Sequence, residues 1–273
     1  MSRLQVAVVG ASGRMGRMLI EVIAGDERAE LVAAVDRAPH ARGRDAGELA
    51  GCGALQVEIE SEVAAAIARA DVVIDFSLPQ ATSAVAEACR VHATPLVLGT
   101  TGLGEAEQAA LAELAERVPL VQAANYSTGV TLLTVLVEQA ARAIGSHSDI
   151  EIIEAHHRHK VDAPSGTALR LGEAVAAVLE RDLKQCAVYG REGHTGVRAH
   201  ETIGFATLRA GDIVGEHTVL FAGDGERLEL THKASSRTTF AAGAVRAAHW
   251  VVGQPAGRYD MRDVLGLSTA PSL

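Results

Sequence analysis

Apolar and polar positions follow two different rhythms along this chain, and the change near residue 127 divides it. Residues 4–9 form a short, nearly continuous apolar run of the kind buried on both faces of a parallel sheet. Met18, Leu19, Val22 and Ile23 then recur at helical spacing. Apolar runs at 31–35, 72–76, 96–98 and 120–123 predict further strands, and helical patterns at 63–68, 80–90 and 105–116 lie between them. Such alternation predicts a doubly wound parallel sheet. Beyond residue 127 the spacing predicts a helix over 129–144, a strand over 149–154 and a helix from Ser165 to about residue 180. Three strands at 202–208, 213–221 and 227–232 follow without helices between them, which predicts antiparallel pairing in a separate α+β domain. An apolar helix over 238–252 is expected to return to the first domain.

The first strand ends in Gly10, Ala11, Ser12, Gly13, Arg14, Met15 and Gly16, a GxxGxxG turn opening a helix. Gly10 permits the turn, Gly13 lets backbone approach a pyrophosphate, Gly16 lets helix and strand pack closely, and the helix N-terminus faces the phosphates. Asp36 closes the next strand, 36 − 16 = 20 residues after the last glycine, where an acidic side chain binds the adenosine ribose. Arg37 beside it can stack on adenine or pair with a 2′-phosphate, so both NADH and NADPH are expected. Gly99, Thr100, Thr101 and Gly102, and Ala123, Ala124, Asn125, Tyr126 and Ser127, follow later strands at the same carboxyl edge, where a nicotinamide ribose is expected. The predicted fold class is α/β. A Rossmann-type doubly wound parallel sheet takes residues 1–126 and 237–273, and a second α+β domain with a mixed, largely antiparallel sheet takes 127–236.

The stretch 154–169 concentrates the chemistry: His156, His157, Arg158, His159 and Lys160 are consecutive, and Ser165, Gly166 and Thr167 start a helix. Imidazoles exchange protons near neutral pH, and a lysine and an arginine beside them favour an anion over a metal cation. Ser165 can cap the helix, whose N–H groups around Gly166 and Thr167 form a second anion site. The segment thus offers a proton donor, a fixed positive charge and a carboxylate cradle. A zinc site is the weaker reading, because no HExxH, paired cysteines or carboxylate-rich stretch accompanies the histidines. His200, His217, His232 and His249 are expected to be structural or solvent-facing, and residues 191–198 to form a flexible polar loop. Arg237 stands at a domain crossing and could face substrate. Crossings near Asn125 and Ser236 predict a hinge whose closure brings His156 and Lys160 over the nicotinamide.

Composition narrows the classes further. A formal charge of −9 argues against a nucleic-acid partner, since phosphate contacts need a basic surface. Cys52, Cys89 and Cys186 are odd in number and far apart, as expected of reduced thiols in a cytoplasmic protein. No apolar span reaches membrane length. Aromatics make up only 3%, so the core must be built from Ala, Val, Leu and Ile. Three function classes remain: a reductase, a nucleotide-binding redox sensor without catalysis, and a metal-dependent hydrolase.

Residues 10–16 with Asp36 and Arg37, residues 99–102, 125–127, 154–169 and 203–233 together resemble the 4-hydroxy-tetrahydrodipicolinate reductase family, also called dihydrodipicolinate reductase. The resemblance covers essentially the whole chain, and the 156–167 segment carries most of its specificity. It implies hydride transfer from NADH or NADPH to a cyclic dicarboxylate, with loss of the 4-hydroxyl as water, in lysine and diaminopimelate synthesis. It implies His156 as proton donor, Lys160 as the charged catalytic residue of the site and an alternative proton donor, and His157, Gly166 and Thr167 as substrate binders. It assigns Gly10, Ala11, Ser12, Gly13, Arg14, Met15, Asp36, Arg37, Gly99, Thr100, Thr101, Ala123, Ala124, Asn125 and Tyr126 to the cofactor, no residue to a metal, and a homotetramer to the assembly. Tyr126 stands where phenylalanine is common, and is expected to add a hydroxyl near the cofactor.

Overall fold

The computed structural model describes residues 2–268, so the end of the expected first domain, 269–273, lies outside the described residues. From the amino end the chain runs β1 (Leu4–Val9), α1 (Arg14–Gly25), β2 (Ala29–Val35), α2 (Ala46–Ala50), β3 (Ile59–Glu60), α3 (Val63–Ile67), β4 (Val72–Asp75), α4 (Pro79–His92), β5 (Leu96–Leu98), α5 (Glu105–Ala115) and β6 (Pro119–Gln122). There follow α6 (Thr128–Ile144), β7 (Asp149–His156), α7 (Gly166–Val178), α8 (Leu183–Cys186), β8 (Ala187–Val188), β9 (Ile203–Arg209), β10 (Gly215–Ala222) and β11 (Arg227–Ala234). The chain closes with α9 (Thr238–Val251), β12 (Gly257–Tyr259) and α10 (Met261–Leu265). It forms two compact units, one up to Thr128 and again from Thr238, the other Gly129–Arg237.

The first unit is a parallel sheet of order β12-β6-β5-β4-β1-β2-β3. Its strands read as unbroken apolar runs because both faces are covered. Val6 and Val8 pack with Leu19, Ile23 and Ala244 of α1 and α9, while Ala7 and Val9 pack on the other side with Val85, Cys89 and Leu111. Each fully buried valine or leucine contributes about 1.5–3 kcal/mol, so the two layers fix the register of every strand. Close packing of α9 uses Gly243, where an added Cβ would lie 1.7 Å from the Tyr126 carbonyl oxygen. The strand order reverses between β1 and β4, which is the switch point where open α/β sheets bind ligands beyond the carboxyl ends.

The second unit is a mixed sheet of order β11-β10-β7-β9-β8, with α6 and α7 contributing to the core on one face. Ile150, Ile152, Phe205, Val219 and Phe221 point to that face and meet Leu133, Val137, Leu171 and Val175. The expected antiparallel succession of the last three strands is corrected in one respect. β10 pairs antiparallel with β11 and with β7, but β9 pairs parallel with β7 and not with β10. The apolar β7 occupies the centre, and the short 210–214 link steps across it. A second correction follows from the same strand. β7 continues two residues past the expected end, so His156 is its last residue rather than part of a loop.

Candidate active site

In the first unit four loops line up along the carboxyl edge because their strands are neighbours. Ala123 donates to the Leu98 carbonyl, Gly99 to Asp75, Phe76 to Val9, and Gly10 to Val35, so the ends of β6, β5, β4, β1 and β2 are tied in sequence. Gly10 has φ +82°, a left-handed conformation that favours glycine. At Gly16 an added Cβ would stand 2.1 Å from the Gly10 carbonyl oxygen, so only glycine lets the helix start this close to the turn. No side chain caps α1 at Gly13, and its first-turn N–H groups form an anion site. Arg17 steadies the turn by donating to the Ser12 carbonyl at 2.9 Å.

Asp36 accepts from the N–H of Ser12 at 2.8 Å through one oxygen and from Ala38 at 2.9 Å through the other. Burial raises this carboxyl, but the Ala38 and Ser12 donors outweigh it and hold the group below its ordinary range. Asp36 and the exposed Arg37 line a cleft of about 330 Å³ with Gly10, Ser12, Gly13, Phe76, Ser77, Leu78 and Gln80. The free helix start, the missing Cβ atoms and the acidic group at the end of β2 fit a dinucleotide.

Two sequence expectations change here. Tyr126 is 1% exposed, and its hydroxyl lies 2.8 Å from the Leu98 carbonyl and 3.1 Å from that of Val121. The hydroxyl is therefore spent inside the sheet, and the expected polar contact with a cofactor is corrected. Gly99 was expected to admit ribose. An added Cβ there would instead fall 2.2 Å from the Phe76 ring, so this glycine makes room for an aromatic side chain that also meets Tyr126 at 5.4 Å. Thr100 is buried and donates to the Ser77 carbonyl at 3.3 Å, whereas Thr101 and Ala124 are exposed. Asn125 accepts from Ser127 at 2.8 Å. The sequence reading gave residues 76–80 no part in the cofactor site. They follow a recognised strand, and the rule applied to the other strand ends would have found them.

In the second unit the sheet's period of two builds the other site. Ile150, Ile152, Glu154 and His156 share the helix-facing side of β7. His217 stands opposite Glu154 on β10, and Arg209 opposite His156 on β9. Glu154 accepts from His156 Nδ1 at 2.6 Å, from Arg209 at 2.8 and 2.9 Å, and from the Ser165 N–H at 3.0 Å. Burial lowers the His156 pKa, the Glu154 hydrogen bond and charge oppose it, and Lys160 and Arg209 add to the lowering. The net direction is downward.

His217 takes the structural of the two expected places. It is 4% exposed and packs edge-on against His156, with ring centres 5.1 Å apart. Its Nε2 lies 2.9 Å from Ser165 Oγ, which accepts the Ala168 N–H and caps α7. Burial and the neighbouring His156 push His217 down to about 4. Gly166 opens the helix with nothing within 4 Å of where a Cβ would be. Lys160 is gripped by both oxygens of Asp162 at 2.8 and 2.9 Å, and Arg237 donates to His157 Nε2 at 2.9 Å. His157 and Arg237 thus share one contact, while Thr167 lies in the first turn of α7. The 191–198 loop is pinned, since Arg191 and Arg198 both pair with Glu151. Arg209, His217 and Asp162 were missed because they come together through strand register and a loop turn, not through sequence spacing.

A switch-point glycine turn in one unit, and an imidazole, a lysine and a helix start in the other, define a nicotinamide-nucleotide-binding oxidoreductase. The family description "Dihydrodipicolinate reductase, N-terminus" matches residues 4–126, and "Dihydrodipicolinate reductase, C-terminus" matches 129–265. The chain belongs to the dihydrodipicolinate reductase family. It is 70% identical over 265 residues to the 4-hydroxy-tetrahydrodipicolinate reductase of Halorhodospira halophila, covering 97% of this chain and 99% of that one. To the enzyme of the same name from Alkalilimnicola ehrlichii it is 66% identical, covering 96% and 99%. Among solved structures, a dipicolinate-bound dihydrodipicolinate reductase from a Paenisporosarcina species superposes with a TM-score of 0.75 at 25% identity, covering 94% of this chain and 97% of that one. An amine dehydrogenase from Mycobacterium smegmatis, at 15% identity, a TM-score of 0.62 and coverage of 100% and 99%, shares the fold alone. Among the described residues, no helix is long and apolar enough to cross a membrane.

Proposed function

We propose that this chain reduces 4-hydroxy-tetrahydrodipicolinate to tetrahydrodipicolinate in lysine and diaminopimelate synthesis, taking one hydride from NADH or NADPH and one proton, and releasing water. The first unit is the dinucleotide-binding domain, with residues 10–15 and the α1 start at the pyrophosphate, Asp36 at the adenosine ribose, Arg37 at adenine or a 2′-phosphate, and the 99–101 and 123–126 backbone at the nicotinamide end. The bound dinucleotide supplies the hydride. The second unit binds substrate. Hydride addition to a conjugated C=C–C=N system leaves negative charge that an acid must neutralise, and a positioned acid contributes about 10²–10⁴-fold. His156 is that acid, acting through Nε2. Lys160 and the Gly166–Thr167 turn grip the two carboxylates, with His157 beside them, and a substrate carboxylate displaces Asp162 from the lysine.

One observation carries this reading: a buried His156 whose Nδ1 is held by a carboxylate, in a chain matched to the family across both halves. The family resemblance implies a homotetramer through the second sheet, an assembly that would cover the exposed Ile153 and Leu208, and sedimentation tests for four copies. The test is nicotinamide oxidation followed with enzymatically generated substrate and each cofactor. His156→Ala is expected to lower kcat by about 10²–10⁴-fold with dinucleotide affinity unchanged. Wild-type turnover in that variant, or no turnover by the wild type, would contradict the assignment.

A further inference from the structure

Glu154 is 1% exposed, and every acceptor site of its carboxylate is used. One oxygen receives His156 Nδ1 and one Arg209 nitrogen, and the other receives the second Arg209 nitrogen and the Ser165 N–H. An ionised carboxylate offers about four such sites and no proton. The bidentate arginine keeps it ionised, and the group lies below its ordinary range despite burial. A group that can only accept forces its partner to donate. His156 Nδ1 therefore carries hydrogen in both the neutral and the charged imidazole, and the proton that comes and goes is on Nε2.

The far edge of the ring is kept clear. An added Cβ at Gly215 would come within 3.1 Å of Nε2, and the glycine leaves that space empty. On the remaining side the His217 ring packs against His156 and reaches Ser165, whose oxygen caps α7. One connected set thus joins the imidazole to the helix start.

We propose that Glu154, clamped by Arg209, is a positioning residue of the reaction, fixing His156 in the tautomer that presents Nε2 and raising the pH at which that nitrogen stays protonated. The proposal rests on His156 being the proton donor. Four charged or titratable groups face this ring: Glu154 on its own strand, Arg209 on β9, His217 on β10 and Lys160 on the following loop. Of these, Glu154 favours the imidazolium, Lys160 and Arg209 oppose it, and His217, held near 4, adds bulk rather than charge at neutral pH. Removing the carboxylate charge leaves the opposing groups alone, so the pKa of His156 must fall. An acid works only while protonated, so the pH at which kcat declines must fall with it.

Nitrogen-15 spectra of histidine-labelled wild-type protein give the tautomer without any variant. The Nδ1–H form is expected for His156 at high pH, and an Nε2–H form would overturn the proposal. In steady state, Glu154→Gln is expected to lower kcat by about 10–100-fold, the loss seen when the carboxylate partner of a metal-bound imidazole is removed, and to move the decline of kcat about one pH unit lower. KM for the dinucleotide is expected to stay within about twofold, and Glu154→Asp to recover part of kcat. An unchanged pH profile in folded Glu154→Gln overturns the positioning role alone. Normal turnover in His156→Ala overturns the proton donor as well, so the two failures are distinct. Should Glu154→Gln not fold, the wild-type tautomer and the Glu154→Asp profile decide.

Discussion

The two units build their proposed sites in opposite ways. In the first, the work is done by backbone: a turn that needs glycine at Gly10 and Gly16, an uncapped helix start and a reversal of strand order. In the second it is done by side chains, with Glu154, His156, Arg209 and His217 brought together by the register of three strands. A backbone site tolerates variation in side chains but not in Cβ atoms. A side-chain site tolerates neither loss of a partner nor a shift of protonation.

The largest effect this contrast predicts for the dinucleotide is at Gly16. A Cβ there meets the Gly10 oxygen at 2.1 Å and the Ala11 Cα at 2.7 Å, so Gly16→Ala must displace the turn. Dinucleotide affinity is expected to fall by about tenfold or more, roughly 1.4 kcal/mol or more of binding energy, and calorimetric titration reads it. Native affinity would erase the contrast.

Acid should treat one buried group of each unit oppositely. His217 is held near 4 by burial and His156, below its ordinary 6.5, so the unfolded chain binds the proton first as pH falls and stability is lost between about 6.5 and 4. Asp75 is pushed up to about 6 by burial, so the folded chain binds first and stability is gained as pH falls from about 6 towards 3.8. Each shift corresponds to roughly 3 kcal/mol. Denaturant melts of His217→Asn and Asp75→Asn across this range are expected to depart from wild type with opposite slopes. Parallel slopes would contradict the burial assigned to one of them.

A smaller effect checks the buried tyrosine. Tyr126→Phe removes a hydroxyl bound to sheet carbonyls and is expected to cost about 1–2 kcal/mol in melting, with dinucleotide affinity unchanged. Weakened cofactor binding would restore the hydroxyl to the cofactor site.

The contrast also explains what could be read from sequence. The glycine turn, Asp36 and the alternation of strand and helix are local patterns, each visible within about 35 residues, and they mark the β1 and β2 side of the cleft, while residues 76–80 on its other side went unmarked. The imidazole and lysine of the second site are local too. Their partners are not: Arg209 lies 55 residues from Glu154, and His217 lies 52 from Ser165. In β10 the period of two puts His217 on the buried face with Val219 and Phe221, but pairing with β7 rather than β9 is set by packing. The two- and three-residue strands β3, β8 and β12 lack a run long enough to show a period.

The most direct measurement titrates NADPH and dipicolinate, the ligand of the Paenisporosarcina structure, separately into wild type and Lys160→Ala. If the nucleotide belongs to one unit and the dicarboxylate to the other, dipicolinate binding weakens by about tenfold or more while NADPH affinity stays within about twofold, in keeping with loss of one charge-assisted contact. Equal weakening of both ligands, or no change in dipicolinate, would contradict that division.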